Sequence, residues 1–249
     1  MNTASVSSLV SNAATELDDD AISRLYSRQD RSEPWFRVNF VSSVDGAATV
    51  DGVSGGLGGD ADRRVFNILR ELTDVVIVGA GTVRGEGYGP MRLEPAAVAR
   101  RVQTGLAQHP VFAIVSNRLD LDPASRIFAE APVRPIIVTT DASPLDQRAA
   151  LAEVADVIIA GQSDLDGHAL VAALAERGLT QQHCEGGPSL FGALLAAGVV
   201  NELCLTISPL LVGGGAPRIA VGDLVEPSRL ILGHALASSG TLLLRYEVL

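Results

Sequence analysis

The organising segment of this chain is residues 180–198, which read TQQHCEGGPSLFGALLAAG. A short strand leads to Glu185, and a helix begins at Pro188, whose missing N–H has no partner in a first helical turn in any case. Gly186 and Gly187 allow a ligand to approach the backbone closely. Free N–H groups and the helix dipole favour an anion such as a phosphate here. The segment therefore predicts a strand–turn–helix unit with an anion site, at the strand end where open α/β sheets usually place ligands.

A second glycine-rich strand exit follows the apolar run Val75–Val78, which predicts a strand covered on both faces. The exit reads Gly79-Ala80-Gly81-Thr82. Two such exits in one chain favour a dinucleotide, with a phosphate group at each helix start. The usual dinucleotide fingerprint, G-x-G-x-x-G with an acid about 20 residues later, is not matched, so the usual nucleotide-binding fold is disfavoured.

A carboxylate stands at a third strand exit, where the strand predicted over 35–44 ends at Asp45-Gly46. Asp45 is a candidate catalytic or ligand-binding group, and the alternative is an Asx turn before the glycine. The following residues 47–59 contain five glycines and no core of their own. They predict either a flap over a ligand or a plain connection.

The remaining elements repeat a β–α–β order and end in an antiparallel hairpin. We expect an α/β class with a mixed, mostly parallel sheet and helices on both faces. Residues 1–33 are predicted to be an N-terminal extension, flexible over 1–14, and residues 34–249 a single domain. The predicted helices are 16–28, 61–72, 94–108, 145–154 and 166–177, and the predicted strands include 111–115, 134–139, 156–160, 204–212, 230–236 and 241–249.

Composition narrows the class of function. The net charge of −10 argues against a nucleic-acid partner, because neutralising phosphates requires clustered Lys and Arg. No apolar run approaches the roughly 20 residues of a membrane span. The N-terminus has no signal-peptide pattern, no metal motif is present, and two widely spaced cysteines fit a cytosolic thiol state. We therefore expect a cytoplasmic protein that binds a small molecule without a metal.

Several motifs, in order, resemble the reductase domain of bacterial riboflavin biosynthesis, a relative of dihydrofolate reductase. The resemblance runs from about Trp35 to the C-terminus, with no deaminase zinc motif before it. The motifs are Ser43-Val44-Asp45-Gly46, Leu69-Arg70, Val78-Gly79-Ala80-Gly81-Thr82-Val83, Glu185-Gly186-Gly187-Pro188-Ser189, Asn201-Glu202-Leu203 and Pro209-Leu210-Leu211-Val212-Gly213-Gly214.

The resemblance implies a three-layer dihydrofolate-reductase-like fold, NADPH as the hydride donor and usually a homodimer. It implies substrate contacts at Ser54, Arg70 and Glu185, with Asp45 near both nicotinamide and substrate. It implies cofactor contacts at Val41, Gly79, Gly81, Thr82, Gly186, Gly187, Pro188, Ser189 and Leu190, with Ser116 and Asn117 near the adenosine 2′-phosphate.

The chain departs from the family pattern at three places. Glu86 stands for one acid of the usual Asp-Asp-Pro segment, and Arg92 stands for the basic group that helps to hold the ribose phosphate. Gly56 stands where a Trp is usual. The cofactor-binding motifs therefore match the family better than the substrate-binding motifs do. We expect Glu86 and Gly56 to contact the cofactor and Arg92 to contact the substrate.

Three functions follow as hypotheses. The first is an NADPH-dependent reductase of 5-amino-6-(5-phosphoribosylamino)uracil, and the second is a pterin or dihydrofolate reductase, which needs no ribose-phosphate site. The third is a non-catalytic nucleotide-binding protein. The presence of both Asp45 and Glu185 argues against this third hypothesis. In the enzyme, Glu185 is expected to bind ring N–H groups and Asp45 to hold a raised pKa and move a proton, although the reverse remains open.

Overall fold

The computed structural model describes residues 16–222 and 226–249, so the predicted flexibility of residues 1–14 lies outside the described residues. The strands are β1 Trp35–Ser43, β2 Val75–Gly79, β3 Val111–Val115, β4 Ile136–Thr139, β5 Asp156–Ile159, β6 Gln181–Cys184, β7 Glu202–Ser208, β8 Leu230–Ser238 and β9 Thr241–Val248. The helices are α1 Asp19–Tyr26, α2 Asp60–Leu72, α3 Ala80–Gly85, α4 Pro95–Gln103, α5 Arg126–Ala129, α6 Leu145–Ala152, α7 Gly167–Ala175 and α8 Pro188–Ala196.

The strands form one nine-stranded mixed sheet in the order β5-β4-β3-β2-β6-β1-β7-β9-β8. Strands β5 to β7 in that order are parallel, and β9 and β8 complete the sheet as an antiparallel hairpin. Strand β6, which comes late in the chain, lies between β1 and β2 in the sheet. The carboxyl end of β6 is therefore flanked by the carboxyl ends of β1 and β2. Ligands in open parallel sheets bind where the strand order reverses in this way.

Helices cover both faces of the sheet, as predicted. In β2, the side chains of residues 75–78 are all fully buried and alternate between two cores. The core on one face includes Leu170 and Leu174 of α7 and Phe191 of α8. The cores on the other face include residues of α3, α5 and α6 and, beneath the C-terminal strands, of α1 and α2. The predicted three-layer architecture is confirmed.

The N-terminal helix α1 packs against α2 and helps to hold it on the sheet. Ile22 and Tyr26 of α1 share a core with Val65 and Leu69 of α2. Asp18 caps α1 by accepting a hydrogen bond from the Ala21 N–H at 2.7 Å. This packing matters for function because α2 carries several side chains of the candidate site.

Some predicted boundaries were wrong for local reasons. Helix α4 ends at Gln103 instead of residue 108, because Gly105 adopts a positive φ of 79° and terminates it. Strand β7 ends at Ser208 instead of residue 212, because Pro209 has no N–H for the ladder. The four-residue helix α5 was not predicted, since one turn is too short to show a period.

Candidate active site

The turn after β6 is built for close backbone contacts. Gly186 has φ of 92°, and the peptide bond between Gly186 and Gly187 is cis. A Cβ atom on Gly186 would lie 2.8 Å from the Phe40 ring, so this position accepts only glycine. Helix α8 then begins at Pro188 with no side-chain cap, and its first N–H groups stay free.

The glycine-rich exits of β2 and β6 touch each other. The Gly79 N–H donates to the Gly186 oxygen at 2.8 Å, and a Cβ on Gly79 would lie 3.5 Å from the Gly187 nitrogen. A Cβ on Gly187 would collide with the hydroxyl of Thr82. The two exits thus form one continuous glycine-lined surface, which fits the close approach of a ligand backbone such as a pyrophosphate.

A cavity of about 430 Å³ opens beside these turns. The family resemblance implies substrate contacts at three residues that match the family motifs directly. All three line the cavity: Ser54, Arg70 and Glu185. Five of the predicted cofactor residues line it as well: Val41, Thr82, Glu86, Gly187 and Pro188. The structure therefore brings the predicted substrate and cofactor groups to one space of the size typical for small-molecule sites.

Glu185 is the most constrained group in this cavity. Its carboxylate accepts two hydrogen bonds from Arg70, at 2.6 and 2.7 Å, and a third from the Tyr88 hydroxyl at 2.9 Å. The Glu185 side chain is 1% exposed and that of Arg70 20%. The Arg70 guanidinium also lies over the Phe66 ring at 4.2 Å.

The charge state of Glu185 follows from these contacts. Burial alone would raise the pKa of Glu185, but the charge and hydrogen bonds of Arg70 outweigh it, and the pKa is lowered. The buried His183 has its Nε2 atom 3.6 Å from the Glu185 carboxylate. Burial lowers the pKa of His183 to about 4, so the imidazole is neutral near pH 7. Glu185 is thus an ionised acceptor paired with one guanidinium.

Sequence reasoning missed Phe66 and Tyr88, which both line the cavity. Phe66 stands four residues before Arg70 on α2, a spacing that places the two side chains on the same helix face. Tyr88 lies in the loop after α3, where its ring stacks on Phe112 with centroids 6.0 Å apart. The helical spacing could have identified Phe66, whereas nothing local distinguishes Tyr88 from a loop aromatic.

Glu86 links the glycine-rich loop of residues 47–59 to this site. Its carboxylate accepts a hydrogen bond from the backbone N–H of Ser54 at 2.7 Å. Gly56 lies in the same loop but does not line the cavity, and a Cβ there would lie 3.2 Å from Cβ of Val50. The loop is thereby held against the residues that follow α3.

The other predicted cofactor residues are not part of the cavity lining. Gly79, Gly81, Gly186, Ser189 and Leu190 belong to the two strand exits. Ser116 and Asn117 follow β3, the neighbour of β2 in the sheet. The Ser116 hydroxyl accepts from the Leu119 N–H at 2.9 Å, and Asn117 is exposed. Ser116 and Asn117 therefore stand at the carboxyl end of the strand beside β2.

Asp45 and Glu185 are far apart along the strands. Val38 of β1 lies opposite Cys184 in the register, directly before Glu185. Glu185 is thus level with Asn39, and β1 continues four residues farther to Ser43, which at 3.3 Å per residue is about 13 Å. Asp45 is exposed and does not line the cavity. Contrary to the expectation of a shared cleft, the structure does not place Asp45 in the cavity that Glu185 lines, because β1 is longer than β6 at this edge.

The Asp45 carboxylate anchors a distant loop. It accepts a hydrogen bond from the Ser43 hydroxyl and others from the backbone N–H groups of Val212 and Gly213, the last at 2.7 Å. These bonds lower the pKa of Asp45 to about 2. The prediction of a raised pKa at Asp45 is wrong, and two of its three partners, Val212 and Gly213, belong to a tertiary contact rather than to an Asx turn.

Arg92 also lies outside the cavity, contrary to the prediction. Its side chain is exposed and donates to the backbone oxygen of Glu130 at 3.0 Å. The loop turns at Pro90, so that Met91 faces the cavity while Arg92 does not. The cavity therefore does not contain Arg92, the basic group that was predicted to hold a ribose phosphate.

The described part of the chain contains neither a membrane-spanning helix nor a cluster of metal-binding side chains. No helix within 16–222 or 226–249 is long and apolar enough to cross a membrane. Over the same residues, no group of three or more His, Cys, Asp or Glu side chains is arranged to hold a metal ion.

The sequence matches the family model described as the RibD C-terminal domain over residues 34–243. The chain belongs to this family. The predicted family is thereby confirmed, and the matched range includes every residue assigned above to the candidate site. The curated relatives of this chain include a reductase that it covers almost completely and longer RibD proteins of which it covers about half.

Two curated relatives illustrate this range. The chain is 27% identical over 221 residues to the 2,5-diamino-6-ribosylamino-4(3H)-pyrimidinone 5′-phosphate reductase of Methanothermobacter thermautotrophicus, covering 86% of this chain and 98% of that protein. It is 28% identical to the riboflavin biosynthesis protein RibD of Mycobacterium tuberculosis, covering 76% of this chain but 46% of RibD. The predicted reductase activity agrees with the names of these relatives.

Solved structures of RibD-like proteins share the fold. A pyrimidine reductase-like protein from Corynebacterium diphtheriae superposes with a TM-score of 0.81 at 28% identity, covering 92% of this chain and 98% of that one. The riboflavin biosynthesis reductase Rib7 of Saccharomyces cerevisiae superposes with a TM-score of 0.67 at 17% identity, covering 90% and 93%. The predicted dihydrofolate-reductase-like fold is confirmed by these comparisons together with the sheet.

Proposed function

We propose that the chain is an NADPH-dependent reductase of 5-amino-6-(5-phosphoribosylamino)uracil. The observation that carries the proposal is the cavity in which Glu185 and Arg70 face the glycine-lined turns at Gly187 and Thr82. The reduced nicotinamide supplies a hydride when bound, and C1′ of the ribosylamino group accepts it as the C1′–O4′ bond opens. A proton from solvent completes the ribityl hydroxyl.

The residues of this chain would bind and orient the reactants. Glu185, ionised and clamped by Arg70, would accept a hydrogen bond from the pyrimidine ring or its amino group. The glycine surface from Gly79 to Gly187, with the free N–H groups at the start of α8, would hold the pyrophosphate. We assign no proton transfer to Asp45, because its carboxylate is exposed and bound to a loop.

The decisive assay follows NADPH oxidation by absorbance with the phosphoribosylaminouracil and with its 2,5-diaminopyrimidinone counterpart. We expect turnover of at least one of them by the wild type. Glu185→Gln should raise KM by about tenfold or more, because an amide presents a donor to ring donors and unpairs Arg70. Glu176→Gln, an exposed acid at the end of α7, is the control and should leave KM unchanged. Absence of turnover with both pyrimidines would refute the assignment.

A second candidate is a pterin or dihydrofolate reductase. It is favoured by one observation, the position of Arg92 outside the cavity, which removes the predicted phosphate-binding group. Dihydrofolate belongs in the same assay as a third substrate. A kcat/KM for dihydrofolate above that for both pyrimidines would establish this alternative.

We further propose that NADPH is preferred to NADH. The support is the exit of β3, where Ser116, Asn117 and Arg118 offer neutral and charged donors for a 2′-phosphate. Titration of the protein with each cofactor, followed by fluorescence, measures the preference. Equal dissociation constants would contradict it.

The proposed assembly is a homodimer formed through the C-terminal hairpin. Residues 230–232 of the edge strand β8 are apolar and 39% to 52% exposed. The outer edge of β8 pairs with no strand among the described residues. A long apolar edge of this kind is the usual site for pairing with another chain.

A further inference from the structure

One face of helix α2 lines the cavity with three side chains. Arg63, Phe66 and Arg70 stand at i, i+3 and i+7, so they share one face of the helix. At 1.5 Å per residue, the Cα atoms of the two arginines are about 10 Å apart along the axis. This face therefore carries one guanidinium at each end and an aromatic ring between them.

The two arginines differ in how firmly their charges are paired. Arg70 is held by Glu185 through two short hydrogen bonds, and its side chain is mostly buried. Arg63 meets Asp60 at 2.9 Å, but the Arg63 side chain is 66% exposed and that of Asp60 is fully exposed. Such an exposed pair contributes little, so Arg63 can turn toward a ligand at small cost. Arg63 is thus the available cation at the open end of the cavity.

The acidic residues that line the cavity are Asp62, Glu86 and Glu185. Glu86 is engaged by the backbone of Ser54. Asp62 also lines the cavity, and burial raises the pKa of its carboxyl group, which lies near Thr206 of β7. Glu185 is paired at the opposite end. An anionic group near Arg63 would therefore meet one exposed guanidinium and, in Asp62, an acid whose charged form burial disfavours.

We propose that Arg63 binds the 5′-phosphate of the substrate at the open end of the cavity. The pyrimidine ring would lie at Glu185 and the sugar chain would pass Phe66, a span comparable to that of an extended pentose phosphate. This inference rests on the proposed function and adds the residue that selects a phosphorylated substrate. It also replaces the role that the sequence suggested for Arg92.

The test is calorimetric binding of the ribityl product and of the same product without its phosphate, measured with and without NADP⁺. In the wild type the phosphorylated ligand should bind at least about tenfold more tightly, as charge-assisted hydrogen bonds imply. Arg63→Ala should remove most of this difference and leave the affinity for the dephosphorylated ligand unchanged. Arg64→Ala is the matched control, because Arg64 is the next residue on α2 and binds Asp19 and the backbone of Leu17 instead.

The outcomes of this binding experiment distinguish failure of the Arg63 inference from failure of the proposed function. Equal affinities of the wild type for the two ligands, or equal losses in the Arg63 and Arg64 variants, overturn the inference while the reductase assignment stands. Binding of neither ligand by the wild type overturns the proposed function and this inference with it. Dihydrofolate, whose tail carries carboxylates, and dihydropterin, which has no such tail, form a parallel pair. If Arg63→Ala weakens only dihydrofolate, the anion held at Arg63 is a carboxylate and the phosphate assignment is wrong.

Discussion

At the residue scale, the Glu185 carboxylate holds its charge in a buried place because three donors point at it. Two come from Arg70 and one from the hydroxyl of Tyr88. Burial of the Tyr88 hydroxyl and the nearby negative charge of Glu185 both raise the pKa of Tyr88, so the hydroxyl stays protonated and donates. Tyr88 is therefore a positioning residue for Glu185.

Replacing Tyr88→Phe removes one donor and keeps the ring stacked on Phe112. We expect KM to rise by about threefold to tenfold, corresponding to roughly 1 kcal/mol for one hydrogen bond, with kcat little changed. The lost donor should also raise the pKa of Glu185, so the acid limb of the kcat/KM profile should move to higher pH. Steady-state kinetics across pH measure both effects, with Tyr246→Phe on β9 as control. An unmoved acid limb would show that the hydroxyl does not act on Glu185.

The loop contact of Asp45 leads to a different prediction. Asp45→Asn replaces an acceptor by an amide that faces two N–H groups, so the Val212–Gly213 segment should loosen. Because the folded-state pKa of Asp45 is lowered from 3.8 to about 2, its stabilising effect is present above pH 4 and is lost as the pH falls toward 2. The melting temperatures of wild type and variant should therefore differ at neutral pH and converge in acid.

Limited proteolysis near Gly213 gives an independent readout of the same contact. Asp51→Asn is the control, since Asp51 lies in the neighbouring exposed loop with a positive φ that Asn also accepts. Cleavage at equal rates in both variants would contradict the anchoring role.

At the element scale, the packing of α3 against the start of α8 depends on Gly187 having no side chain. A Cβ there collides with the hydroxyl of Thr82. We expect Gly187→Ala to lower both the melting temperature and the NADPH affinity. The double variant Gly187→Ala, Thr82→Ala removes the collision and should recover most of the stability. Gly85→Ala, where a Cβ meets open space, is the control.

The double variant separates packing from binding. If the added methyl group occupies the pyrophosphate site, NADPH affinity stays low although the melting temperature returns. Thr82→Ala alone corrects for the loss of the hydroxyl. Full recovery of affinity together with stability would mean that Gly187 serves only the contact between the two elements.

At the scale of the whole molecule, the exposed apolar edge of β8 predicts a dimer. Ile231→Lys places a charge in this edge, where Ile231 is 52% exposed. We expect the wild type to sediment as a dimer and this variant as a monomer. Leu145→Lys on α6 is the control, because Leu145 is 72% exposed at the other end of the sheet order. A monomeric wild type, or a variant that remains dimeric, would contradict the assembly.

Elements with a strong local cause were predicted from the sequence. The apolar run of β2 can be buried only between two layers, and the exit of β6 needs a conformation at Gly186 that a side chain would exclude. The hairpin follows from its turn, where Ser239 and Gly240 both have positive φ. The family motifs added the three-layer dihydrofolate-reductase-like architecture, which periodicity alone does not specify.

The direction of individual side chains was decided by tertiary structure. Arg92 was expected in the cavity and Tyr88 was not, yet the loop after α3 turns one outward and the other toward Glu185. Asp45 has the sequence context of an active-site acid, but the relative lengths of β1 and β6 carry it away from Glu185. Local sequence determines strands, helices and turns because their hydrogen bonds lie within a few residues. The partners of a carboxylate or a guanidinium come from distant segments, and only the packing of those segments determines which charges meet.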